Sequence, residues 1–411
     1  MRRSRQLIDP AFVADSEALG QALALLLARG QIGDKAVLPM SLPDTGIGEA
    51  ATLRQLAPLV LGGAQRLDGA LAMAHMDPPT PWITWATTLW NASLNQNLLH
   101  PDTAPVARDL EALVVNWLAP LFGMNGGHLV PGSTVANLTG IWAARDAAGA
   151  EEVVASRAAH LSVEKAARLL GMRYRPVETD VLGRLQANAL GDLKRACLVL
   201  TAGTTSVGAV DPLDNIGQAA WTHVDAAWAG PLRLSERHAE VLAGIERADS
   251  VAISAHKWLF QPKESALILF REASRANEAI SFGGAYLSTP NVGLLGSHGA
   301  TAVPLLATLL AFGRSGIAAR IERCLTHMQE FARHITEQGG VELFAAPVTG
   351  VLAWRASRVP TERLQEALPA GSTSITTIRG EKWLRNVAAN PNADPLALAE
   401  QVRAAIQRLA S

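Results

Sequence analysis

Lys257 stands in the run Ser254-Ala255-His256-Lys257-Trp258, between two apolar stretches that read as buried strands, Val251–Ile253 and Ala266–Phe270. A charged side chain there is costly unless it is paired or put to chemical use. One fitting use is a Schiff base between its amine and the aldehyde of pyridoxal 5'-phosphate (PLP); the plain alternative is a surface lysine at a strand end. Val224-Asp225-Ala226-Ala227 offers a second group. An aspartate directly after an apolar strand calls for a cationic partner, and a pyridinium nitrogen is one. Ala226 and Ala227 leave room for a flat ring, and His160, at another strand end, could lie over its other face or be structural. Gly132-Ser133-Thr134, at a strand-to-helix turn, offers free N–H groups and hydroxyls to a phosphate, or simply an N-cap. Thr201-Ala202-Gly203-Thr204-Thr205 brings further hydroxyls to the same rim, or is a capped turn.

These groups need a frame, and residues 123–270 supply one. Short apolar runs alternate with helical stretches, the pattern of a mostly parallel sheet covered by helices on both faces. Ser162 is expected to cap the helix that follows His160. Ligands in such α/β sheets bind at the carboxyl ends of strands, where the candidate residues fall. Beyond about residue 315 the pattern becomes a smaller α+β unit: strands near 341–343 and 350–354, a hairpin around Arg379-Gly380-Glu381, and a helix from Asp394-Pro395. Before about residue 75, a helix capped by Ser16 and stopped by Gly30 is followed by another that Pro58 should kink or end. They read either as an arm that embraces a second subunit or as a layer folded on their own domain. The proline-rich stretch Pro78-Pro79-Thr80-Pro81 should be a rigid loop, with Trp82 and Trp85 lining a pocket or plugging a core.

Of 411 residues, 49% are hydrophobic and 18% charged, which suits a large buried core. A net charge of -1 leaves no electrostatic footprint for nucleic acid or an anionic membrane. Cys197 and Cys324 form no disulfide framework and suggest a reducing, cytoplasmic setting. No uninterrupted apolar stretch approaches the ~20 residues of a membrane span. No zinc-protease, Walker or nucleophile-elbow motif competes, and the histidines show no metal-ligand spacing.

Taken together, the residues resemble the group II PLP-dependent amino-acid decarboxylases, which include glutamate, aromatic amino-acid, diaminobutyrate and cysteine-sulfinate decarboxylases. The shared elements run in the family's order: Gly132 to Asn137, His160 with Ser162 and Lys165, Thr201 to Thr205, Asp225-Ala226-Ala227, His256-Lys257-Trp258, and Leu384-Arg385-Asn386-Val387 with Asn390-Pro391. The resemblance implies the PLP-dependent transferase fold type I: an N-terminal helical arm over 1–75, a large PLP-binding domain over 76–315 and a small α+β domain over 316–411. It implies a homodimer acting on a small-molecule amino-acid substrate. It makes Lys257 the Schiff-base lysine, Asp225 the partner of the ring nitrogen, His160 the residue stacked on the ring, and Ala227 a ring contact. Ser133, Thr134 and His256 hold the phosphate, Ser254 belongs to the cofactor-binding set and Thr204 supports the cofactor. Arg385 receives a substrate carboxylate, and Tyr286, in a loop shorter than the family's, returns a proton to Cα. Trp82 and Trp85 hint at an apolar or aromatic substrate side chain. The expected reaction is decarboxylation of an L-amino acid. A PLP-dependent carbon–carbon lyase, releasing an aldehyde, is the second reading, and a non-catalytic dimeric binding protein on the same fold is the third.

Overall fold

The computed structural model describes residues 13–28, 37–284, 287, 291–337 and 339–410. The chain divides into two compact units, Met1–Arg66 and Leu67–Ser411. In the first, α1 (Ser16–Leu27) is capped by Asp15, whose carboxylate accepts the N–H groups of Glu17 at 2.9 Å and Ala18 at 3.1 Å. Ser16, the expected cap, is instead the first helical residue. Asp15 satisfies the free amides and adds a favourable charge at the positive end of the helix dipole. Gly30 lies outside the described residues. In α2 (Glu49–Val60), Pro58 falls in the last turn, and the helix ends two positions later.

The second unit is built on a seven-stranded sheet. Its strands are β1 (Gly126–Val130), β2 (Glu152–Ser156), β3 (Arg173–Val177), β4 (Ala196–Thr201), β5 (Trp221–Asp225), β6 (Ser250–Ile253) and β7 (Ala266–Phe270). Their spatial order is β1-β7-β6-β5-β4-β2-β3. Pairs from β3 through β6 are parallel, while β7 runs antiparallel to both β6 and β1. Alternate side chains face opposite layers: Leu198, Leu200 and Val251 enter one apolar cluster, Cys197, Val199 and Ala252 the other. Burial on both faces is why these strands read as continuous apolar runs. β3 is the exception and carries no such run. As an edge strand it tolerates Arg173, Arg175 and even Pro176.

Helices cover both faces: α3 (Trp82–Leu94), α4 (Ala107–Leu118), α5 (Ser133–Ala148), α6 (Leu161–Leu169), α7 (Ala273–Ala279) and α8 (Ala302–Thr336). α5 packs across β5, β6 and β7 and against α6. α8 is broken by a non-helical backbone at Gly313 (φ 61°, ψ 179°), beside the expected domain border. By length and mean hydropathy α8 could cross a membrane, although Thr308 and Arg314 interrupt its apolar run, and Leu305, Ile321, Met328 and Phe331 on it are buried in the core. β8 (Ser281–Phe282) and β9 (Asn291–Val292) form a short antiparallel pair.

The C-terminal part is a four-stranded antiparallel sheet, β10 (Val341–Leu343), β11 (Val351–Ala356), β12 (Ser374–Ile378) and β13 (Glu381–Val387), with α9 (Thr361–Glu366) and α10 (Pro395–Ala410). Arg379 (φ 52°) and Gly380 (φ 83°) make the tight β12–β13 turn in the left-handed region that hairpins favour. Residues 70–74 are stitched to this sheet: Ala74 N–H donates to Gly371 O at 3.1 Å and Val387 N–H to Met73 O at 2.7 Å. That seam carries Met76 and Asp77 to the carboxyl ends of the large sheet.

Candidate active site

Lys257 lies in the turn after β6. The turn is closed by Phe260 N–H to Lys257 O at 2.9 Å and Gln261 N–H to Ala255 O at 3.1 Å. Trp258, wholly buried, stacks on Trp228 with ring centroids 4.1 Å apart and donates its indole N–H to Ala388 O at 2.8 Å. Lys257 is thereby held in a small cleft with Met76, Ser133, His160, Thr201, Gly203, Thr205, Asp225, Ala227 and Trp228. Burial pushes the Lys257 amine below its ordinary range; Asp225 and Asp77 oppose the shift, Lys263 and Arg385 add to it. A lysine that gives up its proton more readily is a better nucleophile toward a carbonyl.

Asp225 ends β5 and is buried. Its Oδ1 accepts the N–H of Ala227 at 3.1 Å, and its Oδ2 accepts from the Asn137 amide at 2.9 Å. His160 is the N-cap of α6, the place expected for Ser162. The imidazole Nδ1 accepts the Ser162 N–H at 3.3 Å and lies 2.8 Å from Ser162 Oγ, so the ring itself does the capping. Burial lowers the His160 pKa, opposed by Asp225 and reinforced by Lys257.

Ser133 opens α5 directly after Gly132, and the start of the helix lies beside His256. A Cβ added to Gly132 would stand 3.9 Å from His256 Cε1. Ser254 Oγ, His256 Nδ1, Ser265 Oγ and Thr201 Oγ1 are buried without protein partners. Buried polar atoms are normally satisfied. This set, with a helix N-terminus, a buried lysine and a strand-end aspartate, matches the donors and acceptors of PLP, so the residues fit that cofactor.

Several expected residues sit elsewhere. Thr204 is buried but turned into its own loop, where Oγ1 accepts the Ala209 N–H at 2.9 Å. Thr205, Thr201 and Gly203 line the cleft in its place. Gly203 has φ 95°, and a Cβ on it would stand 2.9 Å from Trp228 Cδ1; this backbone decides which hydroxyl faces inward. Thr134 is in the first turn of α5 but does not line the cleft. Trp82 and Trp85 are not in a loop. Pro81 takes the N-cap position of α3, and both tryptophans lie in its first turn, 70% and 40% exposed and away from the cleft. Proline is well suited to a helix start, where its missing N–H costs nothing. Tyr286 lies outside the described residues. Arg385 lies on β13; Nη2 donates to Ala74 O at 3.3 Å, and Nε is buried without a partner. Burial lowers its pKa, Asp77 raises it, and its charge acts on Lys257.

Asn137, His223 and Trp228 escaped the sequence reading as site residues. One signal for His223 was present: it precedes Asp225 by two in a strand and so shares its face. His223 Nε2 lies 3.0 Å from Asn137 Oδ1, and its Nδ1 lies 2.8 Å from Ser250 Oγ.

Residues 37–357 match the family described as the pyridoxal-dependent decarboxylase conserved domain. An L-2,4-diaminobutyrate decarboxylase of Rhizobium meliloti is 31% identical over 349 residues, covering 76% of this chain and 70% of the relative. An aromatic-L-amino-acid decarboxylase of Bacillus atrophaeus is 30% identical over 261 residues, 57% of this chain and 54% of its own. In fold, the chain is similar to the decarboxylase domain of a Vibrio parahaemolyticus diaminobutyrate enzyme (TM-score 0.82, 22% identity, covering 96% of this chain and 95% of that one). It is likewise similar to Catharanthus roseus tryptophan decarboxylase (TM-score 0.82, 18% identity, covering 98% and 99%).

Proposed function

This chain belongs to the pyridoxal-dependent decarboxylase family and is a PLP-dependent carboxy-lyase acting on an amino acid; on that premise we propose how its residues share the work. The observation that carries the assignment is the buried Lys257 sharing one cleft with Asp225 and His160. When bound, PLP supplies an aldehyde for an amine and a ring that takes up the electrons of the breaking Cα–carboxylate bond. Lys257 would hold the cofactor through its amine. Asp225, with both oxygens anchored, would be the partner of the ring nitrogen. His160 would lie against the ring and exclude water. Ser133, Ser254 and His256 take the phosphate. Arg385 receives a substrate carboxylate with its unpaired Nε edge. Tyr286 returns a proton to Cα after CO2 leaves.

The relatives include decarboxylases of diamino, aromatic and sulfinic amino acids, which supports decarboxylation over carbon–carbon cleavage as the reading. We propose a homodimer, supported by the exposed apolar side chains of α3 (Trp82, Trp85, Leu89, Trp90 and Leu94) and by Leu19, Leu23 and Leu27 on α1. Residues 1–75 act as the arm, 76–315 as the cofactor body and 316–411 as the small domain. A reducing, cytoplasmic setting is supported by the two free, buried cysteines. CO2 release across the L-amino acids, including diamino, aromatic, acidic and sulfinic ones, tests the reading. Borohydride reduction with PLP followed by peptide mapping must leave the label on Lys257; a label elsewhere sinks the site. Light scattering that gives a monomer at micromolar concentration removes the dimer.

A further inference from the structure

We propose that a buried hydrogen-bond chain, Trp221–Ser250–His223–Asn137–Ser162, fixes His160 as the tautomer that carries its proton on Nε2. The chain is directed by groups with no choice. A carboxylate only accepts, so the Asn137 amide turns its Nδ2 hydrogens to Asp225 Oδ2 and to Ser162 Oγ, each at 2.9 Å. Its Oδ1 then faces His223 Nε2 at 3.0 Å, which must carry the His223 proton. His223 Nδ1 is left to accept from the Ser250 hydroxyl, 2.8 Å away, whose oxygen in turn accepts the Trp221 indole N–H at 2.9 Å. At the other end the Ser162 backbone N–H, which only donates, meets His160 Nδ1 at 3.3 Å, and Ser162 Oγ, accepting from Asn137, has its hydrogen for the same nitrogen at 2.8 Å. With two donors aimed at Nδ1, the His160 proton is left on Nε2, the edge free for the cleft that His160 lines.

The directions are set at the Asp225 end: a flipped Asn137 amide would aim its oxygen at a carboxyl oxygen, so the amide must donate there and present Oδ1 to His223, an order with which the Trp221 bond is compatible. Trp221, Ser250, His223, Asn137 and Ser162 are each at most 2% exposed, so water offers no alternative partners. The same amide joins the residue assigned to the ring nitrogen to the residue assigned to the ring face, so one asparagine orients both. Asn137, His223 and Ser162 are thus positioning residues. Their part in decarboxylation rests on the reading above, whereas the tautomer itself is a property of the cofactor-free chain.

The test is nitrogen-15 NMR of histidine side chains in the full-length protein without PLP, with the His160 signals assigned through His160→Gln. The expected wild-type pattern is Nε2 protonated and Nδ1 bare, with a titration midpoint below the ordinary histidine value. Asp225 on β5 and Lys257 after β6 are the charged groups facing His160. Ser162→Ala removes a donor that only neutral imidazole accepts, so the midpoint should rise by about one pH unit and the two tautomers should mix. His223→Gln restores an N–H toward Asn137 Oδ1 and should keep the wild-type tautomer, while His223→Phe should lose it. A purely structural role would lower thermal stability in both and leave the His160 tautomer alone. A His160 proton on Nδ1 in the wild type, or unchanged signals in Ser162→Ala, overturns the proposal. Should His223→Phe fail to fold, Ser162→Ala decides. Loss of CO2 release with the tautomer intact would count against the decarboxylase roles and leave this inference standing.

Discussion

Asp225 shows what a single side chain contributes here. Its two oxygens are anchored by Ala227 and Asn137, so the carboxylate is set before any ring arrives. Preorganised charge of this kind is typically worth ~10²–10³ in rate. Asp225→Asn should therefore lower kcat by about that factor at saturating PLP while Lys257 still takes the cofactor; a variant with unchanged turnover would remove Asp225 from the chemistry. Lys257→Ala should lose covalent PLP altogether, seen as the absence of a borohydride-reduced adduct. Lys257 and Asp225 were legible in the sequence because a charge beside an apolar strand demands a reason. Thr204 and Thr205 were not separable, because the φ 95° turn at Gly203 chooses between adjacent hydroxyls. Asn137 and His223 were hidden for a different cause: their bonds run from a helix to a strand, and no local pattern records them.

α5 holds a constraint that only its neighbours explain. A Cβ on Gly140 would stand 2.5 Å from His223 Nδ1 and 2.6 Å from His223 Cε1, within a fully buried layer. Gly140→Ala should gain helix propensity yet force the imidazole aside. The net expected cost is about 1–3 kcal/mol, the usual range for overpacking, read as a lower urea midpoint. A neutral or stabilised variant would show that His223 can move. Strands covered on both faces were readable as Val/Ile/Leu runs, whereas β3 was not, because an edge strand keeps polar side chains. The helix that begins at Trp82 is hard to read because the three preceding prolines mask its start, and neither pocket lining nor core plugging matches tryptophans 70% and 40% exposed.

For the molecule as a whole, buried neutral histidines set the acid limit. Burial pushes His128 and His223 down to about 4, and His256 likewise, with Lys263 and Lys257 adding to the shift at His256. Each folded-state pKa lies below the unfolded value near ~6.5, so the unfolded chain binds protons that the folded one refuses. Stability is complete above about 6.5 and falls as pH drops toward 4. Urea midpoints at a series of pH values should decline through that window, and less steeply in His223→Gln. Asp211, which burial pushes up to about 6, acts with the opposite sign in this window, so the histidine share is read from the difference between wild type and His223→Gln; an identical slope in the two would remove His223 from the acid limit. Thiols play no part in this range: burial pushes Cys324 up to about 12 and Cys197 higher still.

The indole bond from Trp258 to Ala388 has a consequence for selectivity. Ala388 follows β13 directly and lies three positions after Arg385, while Trp258 adjoins Lys257. A second such bond, from Trp228 to Thr349 O at 2.8 Å, braces the same seam. On the proposed role of Arg385, the amine and the guanidinium are linked through this braced backbone. A fixed span sorts acidic substrates by length, because only a side-chain carboxylate changes its distance from the amine as the chain grows. Across a homologous series of acidic amino acids, kcat/KM should peak at one chain length, and Trp258→Phe, which removes the brace, should broaden the peak.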